Sequence, residues 1–162
     1  MISFQCDNKK FNYRVGAIII SANKKKVLLH TIKGYNFYLL PGGRVEWLEF
    51  SDDAIKRELK EEIALENIEL KVRLFLENVF TFNGIVYHEI SNNFVIELNE
   101  NHSFLERNDD FFGVEGKKYI YKWVDIEDIE NYNIKPKQLS EVIKKYKESV
   151  EFIRINELNW CK

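Results

Sequence analysis

The stretch Pro41 to Leu65, PGGRVEWLEFSDDAIKRELKEEIAL, joins a tight turn to an amphipathic helix and restricts the available folds more than any other part of the chain. Pro41 fixes the entry to the turn, while Gly42 and Gly43 permit positive φ and a close approach of backbone to a ligand or metal. Beyond them Ile55, Leu59 and Ile63 recur at i, i+4 and i+8, so one side of the helix must lie against a core. Ser51 is the expected N-cap. Asp52 and Asp53 follow in the first turn, where the helix dipole favours negative charge, and their role is structural.

Beside the apolar stripe, Glu58, Glu61 and Glu62 stand at i, i+3 and i+4, which puts three carboxylates on one face. The pattern of signs separates this face from an ordinary solvated one. Glu58 and Glu62 are four apart, as are Lys56 and Lys60, and each like-charge pair costs about 0.2–0.5 kcal/mol in an isolated helix. Arg57 with Glu61 is a favourable pair, but with the cation nearer the N-terminus it is in the weaker order. Local salt bridging therefore does not account for the arrangement, whereas a hard multivalent cation does. Carboxylate oxygens suit Mg²⁺ or Mn²⁺, which also take oxygens from substrate phosphates.

The same stretch resembles the box of the Nudix hydrolases: Gly, five residues, Glu, seven residues, Arg-Glu-apolar, one residue, Glu-Glu, one residue, Gly-apolar. Gly43, Glu49, Arg57, Glu58, Leu59, Glu61, Glu62 and Leu65 occupy eight of its nine specified positions. RVGAIIISANKKKVLLH before the box and YKWVDIEDI after it are similar to the flanking Nudix strands. The resemblance implies that Glu58, Glu61 and Glu62 hold the metals and act in catalysis, that Arg57 and Glu49 brace the loop and helix, and that Gly42 and Gly43 form the phosphate loop. It implies attack of water on a phosphorus of a nucleoside diphosphate linked to another group, with a carboxylate accepting the proton. Some Nudix enzymes recruit a further Glu ahead of the last sheet strand. Glu115, in FFGVEGKKYIYKWV between Gly113 and Gly116, is placed for that role, and a plain exposed loop acid is an equally good reading of it.

Two places in the box depart from the family pattern. Ala64 replaces the second Gly, and in the left-handed region it costs roughly 1 kcal/mol, so the helix is expected either to end in altered geometry or to run on to Leu65. Trp47 and Leu48 stand where many family members have a small Gly; core packing is the expected role of both.

The chain has 162 residues, 45% hydrophobic and 14% aromatic, which is enough for one domain with a substantial core, spanning residues 1–162. Strands are predicted at Tyr13 to Ser21, Lys26 to Thr31, Leu70 to Phe82, Ile85 to Leu98 and Lys117 to Val124, with an extended piece at Phe37 to Leu40. The box helix is predicted over Ser51 to Ala64. Asn83-Gly84 marks a two-residue hairpin, Lys24-Lys25-Lys26 another turn, and Asp125 to Ile129 a short helical turn. Pro136 suits the first turn of a C-terminal helix reaching Tyr146, with Leu139, Ile143 and Tyr146 buried. This order fits an α/β fold, and the resemblance makes it the α/β/α sandwich with a mixed sheet of the Nudix fold.

A net charge of −2 gives no pull toward nucleic acid or acidic membranes. Cys6 and Cys161 lack the spacing of a metal site or disulfide framework and are expected as free thiols. The N-terminal residues lack a signal-peptide apolar core and no apolar stretch spans a bilayer, so a cytoplasmic protein is expected. His30, His88 and His102 are isolated and carry no assigned role. Tyr35, Phe37, Tyr38 and Trp47 suit base stacking, with core packing as the stronger reading. The expected partner is a small nucleotide-type substrate: a nucleoside triphosphate, a nucleotide sugar or a dinucleotide. RNA ends are disfavoured and a homodimer is left open. A nucleotide-sensing module without turnover is the alternative, but it predicts damaged acids, and the box glutamates are intact.

Overall fold

The structure, a computed structural model, describes residues 1–102, 104, 109–158. Along the chain come β1 (Ser3–Cys6), β2 (Lys9–Ile20), β3 (Lys26–Ile32), α1 (Ser51–Ile63), β4 (Lys71–Phe82), β5 (Ile85–Glu97), β6 (Phe111–Gly113) and β7 (Gly116–Asp125). A 3₁₀ helix (Ile126–Asn131), α2 (Leu139–Lys144) and β8 (Glu151–Asn156) complete the order. The strands form one mixed sheet in the order β6-β7-β3-β2-β5-β4-β8, with β1 also on β2. β2 runs parallel to β5 through the full register from Lys9↔Val86 to Ile20↔Glu97, and β4 and β8 are likewise parallel. β4 and β5 form the antiparallel hairpin predicted at Asn83-Gly84, where both residues take positive φ.

Alternation along the central strand sends its apolar residues to opposite faces of the sheet. Ile18 and Ile20 join Val27, Leu29, Leu74 and Val95 under the 3₁₀ helix and α2, which contribute Ile129, Leu139, Val142 and Ile143. Val15, Ala17 and Ile19 face the other way, onto Ala54, Ile55, Leu59 and Ile63 of α1. The stripe predicted from i, i+4 spacing is thus the buried face of α1, and the sheet lies between two helical layers. Each fully buried Ile or Leu contributes about 1.5–3 kcal/mol relative to exposure.

The edge of β2 away from β5 positions the site. β2 and β3 share one ladder pair, Ile20↔Val27, and then diverge. The segment Leu39 to Val45 fills the gap. His30 and Leu39 exchange both backbone hydrogen bonds, Ala17 N–H donates to the Pro41 carbonyl, Val15 N–H to Gly43, and Val45 N–H to Tyr13. The Pro-Gly-Gly turn is therefore held between β2 and β3 by isolated bridges and single backbone hydrogen bonds.

Several sequence expectations are corrected. The N-cap is Phe50, with no side-chain cap; Ser51 is the first helical residue, and its hydroxyl accepts a hydrogen bond from Asn92 Nδ2 at 3.0 Å. α1 stops at Ile63 and does not run on. Pro136 lies outside α2, because Leu139 N–H bonds the Pro136 carbonyl and Ser140 N–H that of Lys137, turn-type contacts that precede the helix. Leu139, Ile143 and Tyr146 are buried as predicted. Trp47 and Leu48 do not pack in the core: they are 64% and 104% exposed. Their backbone follows the Glu46–Glu49 loop, where Glu46 N–H bonds the Glu49 carboxylate, and the Trp47 ring meets the exposed Phe4 ring edge-on. β1, β6 and β8 were not foreseen. Cys6 is a free, exposed thiol, and Cys161 lies outside the described residues. Among the described residues, no helix is long and apolar enough to cross a membrane.

Candidate active site

Gly42 and Gly43 make the first contact between turn and helix. Gly42 takes φ +135°, and a Cβ there would lie 2.4 Å from the Val15 carbonyl oxygen. Gly43 has no positive φ; what it supplies is space, since a Cβ would fall 2.3 Å from the Glu58 carboxyl. Glu58 therefore lies directly on the turn backbone. Glu62, one helical turn later, accepts the Gly42 N–H at 3.2 Å through Oε2. The two carboxylates flank the glycine pair.

Arg57 organises the other side. Its Nε and Nη2 bind Glu49 Oε1 and Oε2 at 2.8 and 2.9 Å, a bidentate pair, and Nη2 also donates to the Arg44 carbonyl at 3.1 Å. The same guanidinium reaches Glu58 Oε1 at 2.9 Å and Glu61 Oε2 at 3.2 Å through Nη1. Glu49 in turn accepts the Glu46 N–H at 2.9 Å, so loop and helix are tied at several points. The Arg57 hydrogen bond holds the Glu49 carboxyl below its usual range, and Glu49 chiefly holds the guanidinium protonated. Lys56 and Lys60, predicted to repel, each find an anion of their own, Asp53 at 3.9 Å and Glu66 at 2.6 Å.

Glu62 is the electrostatically unusual member. Only 6% exposed, its carboxyl is pushed up to about 7, chiefly by burial. The Gly42 N–H opposes the shift, Glu58 adds to it, the Tyr121 hydroxyl opposes it and Glu115 adds to it. Glu115 reaches this neighbourhood through the β6–β7 hairpin. Val114 N–H donates to the Glu62 carbonyl at 2.7 Å, and a Cβ on Gly113 would lie 2.4 Å from that oxygen. The hairpin is therefore docked on the last turn of α1, with Glu115 exposed at its tip.

Among the described residues, no three acidic, His or Cys side chains already converge as a metal cage. The reason is visible: Arg57 draws the Glu58 and Glu61 carboxylates to itself. The donors nonetheless fit a hard divalent cation, since all are carboxylate oxygens, and a cation would favour the ionised form of Glu62 that burial now disfavours.

Structure brings Glu49, Arg57, Glu58, Glu61 and Glu62 together with Gly42 and Gly43, and adds Glu115. It also adds Tyr121, which sequence reasoning missed. Alternation in YIYKW places Tyr121 and Trp123 on one sheet face, but nothing local connects Tyr121 to Glu62. The aromatics weighed for stacking divide: Tyr38 packs on Tyr132 at the core edge, Tyr35 and Phe37 cluster with Phe82, and Trp47 is exposed. His30 is buried with its pKa lowered to about 3, first by burial and then by Arg14; His88 meets Glu77 and His102 the Glu66 carbonyl.

Comparison with known proteins agrees with this fold. No curated protein matches the chain. Among solved structures, a MutT protein from Bacillus halodurans is similar at 18% identity, TM-score 0.66, covering 93% of each chain. The E. coli dihydroneopterin triphosphate pyrophosphohydrolase is similar at 22% identity and TM-score 0.64, covering 83% of this chain and 93% of that one. A C. elegans Ap4A hydrolase follows at 17% and 0.59, covering 85% and 96%. The family model for the NUDIX domain matches residues 10–146. With that match spanning most of its length and the box assembled as described, the chain belongs to the Nudix family of hydrolases.

Proposed function

We propose that the protein is a metal-dependent pyrophosphohydrolase, the whole chain serving as one catalytic domain that cleaves the diphosphate linkage of a nucleoside diphosphate joined to another group. The observation that carries this reading is the placement of Glu58 and Glu62 on either side of the Gly42-Gly43 backbone, with Arg57 clamped between Glu49 and Glu58. Glu58, Glu61 and Glu62 would hold Mg²⁺ or Mn²⁺. When bound, the metal neutralises phosphate charge and lowers the pKa of coordinated water.

The remaining roles belong to the chain itself. The glycine pair keeps side chains away from the turn, so a diphosphate reaches the backbone beside the acids. The Arg57–Glu49 clamp fixes the angle between turn and helix. Glu115, exposed on a hairpin docked on the Glu62 carbonyl, would accept the proton of the attacking water. The water oxygen bonds to phosphorus, the bridging P–O bond breaks, and the leaving phosphate takes the electron pair.

Two similar structures are named for a triphosphate and for Ap4A, and both classes stay within the substrate range read from the sequence. Mg²⁺-dependent release of phosphate or nucleotide from nucleoside triphosphates, nucleotide sugars and dinucleoside polyphosphates tests the proposal, with Glu62→Gln alongside. Turnover should fall at least about 100-fold in the variant. Full activity in Glu62→Gln would sink the metal-site assignment, and tight nucleotide binding without turnover in the wild type would favour the sensing module.

A further inference from the structure

Tyr121 is fully buried in β7, yet its hydroxyl has no hydrogen-bond partner within bonding distance among the described residues. An orphaned buried hydroxyl costs about 1–3 kcal/mol and needs a reason. Its ring is clamped. Phe111 stacks on one side with centroids 5.6 Å apart, and His30, opposite Tyr121 in the β3–β7 register, meets it edge-on at 5.3 Å. The Gly113 position, where a Cβ would come within 2.9 Å of the ring and 2.4 Å of the Glu62 carbonyl, brings Tyr121 and the end of α1 together. Across this gap the hydroxyl faces the Glu62 carboxyl, whose Oε2 is held by Gly42 N–H.

We propose that Tyr121 is a positioning residue for Glu62: its immobilised hydroxyl donates to the Glu62 carboxylate when that group turns to bind a divalent cation, and so fixes the ligand's direction. This rests on the metal-site reading above. The Glu62 carboxyl is the polar group beside that hydroxyl, close enough for each to shift the other's titration, so a small turn of Glu62 suffices to complete the bond. Outer partners of metal ligands typically change affinity or activity by 10–100-fold when removed.

Mn²⁺ binding without substrate, measured by calorimetry or by the free-ion electron paramagnetic resonance signal, tests the proposal on wild type, Tyr121→Phe, Tyr119→Phe and Glu62→Gln. Tyr121→Phe should weaken Mn²⁺ binding about tenfold. It should leave the metal-free melting temperature unchanged or raised, since only an unbonded hydroxyl is lost, and Tyr119→Phe should bind Mn²⁺ as wild type does. Weakened binding in Glu62→Gln with wild-type affinity in Tyr121→Phe would overturn the Tyr121 role and leave the site standing. Wild-type affinity in Glu62→Gln would overturn both. A lowered metal-free melting temperature in Tyr121→Phe, with matching loss in Tyr119→Phe, would mark a packing role and also overturn the proposal.

Discussion

Ala64 holds φ +56° and ψ +32°, a left-handed conformation in which its Cβ costs roughly 1 kcal/mol. The helix stops there all the same. Leu65 N–H returns to the Leu59 carbonyl at 3.1 Å and Ala64 N–H to Lys60 at 3.0 Å, so the chain folds back on the last turn of the helix and occupies its end carbonyls. Two tertiary contacts impose this stop: Leu65 is buried under the α1 face of the sheet, and the Glu62 carbonyl is taken by Val114. Because Ala64 is exposed, replacing it sacrifices no packing. Ala64→Gly should stabilise the protein by about 1 kcal/mol, raising the melting temperature by about 2–4 °C with turnover unchanged. Calorimetry checks it, and a lowered melting temperature would contradict the strain argument. Sequence alone identified this residue as the departure from the family pattern, but not which of its two outcomes holds, since the contacts that force the turn come from a distant hairpin.

At the scale of elements, the docking of the β6–β7 hairpin on α1 carries the most functional weight. The strand β6 is only three residues long, so its position rests on Gly113, Val114 and the Phe111 stack. Gly113→Ala places a Cβ against backbone, which cannot yield as a flexible side chain would. We expect the hairpin to lift and Glu115 to move from Glu62, with turnover down on the order of 10–100-fold. The stability loss should be about 1–3 kcal/mol. Steady-state kinetics beside a melting curve separates the two, and wild-type turnover would remove Glu115 from the mechanism. The helix α1 and the β4–β5 hairpin were legible in advance because spacing and an Asn-Gly turn encode them within a few residues. β1, β6 and β8 were not, because short edge strands draw their definition from partners far along the chain. Trp47 failed for a related reason: its size argued for burial, while its place on the Glu46–Glu49 loop leaves it outside the core.

For the molecule as a whole, the buried Glu62 makes stability depend on pH. A carboxyl whose folded pKa is raised from 4.5 to about 7 binds its proton more tightly in the folded state. The metal-free protein is therefore most stable, as far as this group acts, below pH 4.5, and loses that contribution as pH rises from about 4.5 through 7. The loss is on the order of 3 kcal/mol. Urea unfolding in a chelator between pH 5 and 8 should show it, and Glu62→Gln should flatten the curve; a wild-type profile as flat as the variant's would contradict the burial argument. The same scale separates what sequence and tertiary structure each decided. Sequence by itself determined the acidic helix, its buried stripe and the glycine turn, because these depend on spacing over one or two helical turns, while the Arg57–Glu49 pair was expected from the resemblance of the box. Tertiary structure decided that β2 and β3 part after one pair and admit Leu39 to Val45, which lays Gly43 against Glu58. It also decided that Tyr121 and Glu115 come near enough to Glu62 to influence its titration. Those contacts join segments far apart in the chain, and close packing across a sheet leaves no local period from which to read them.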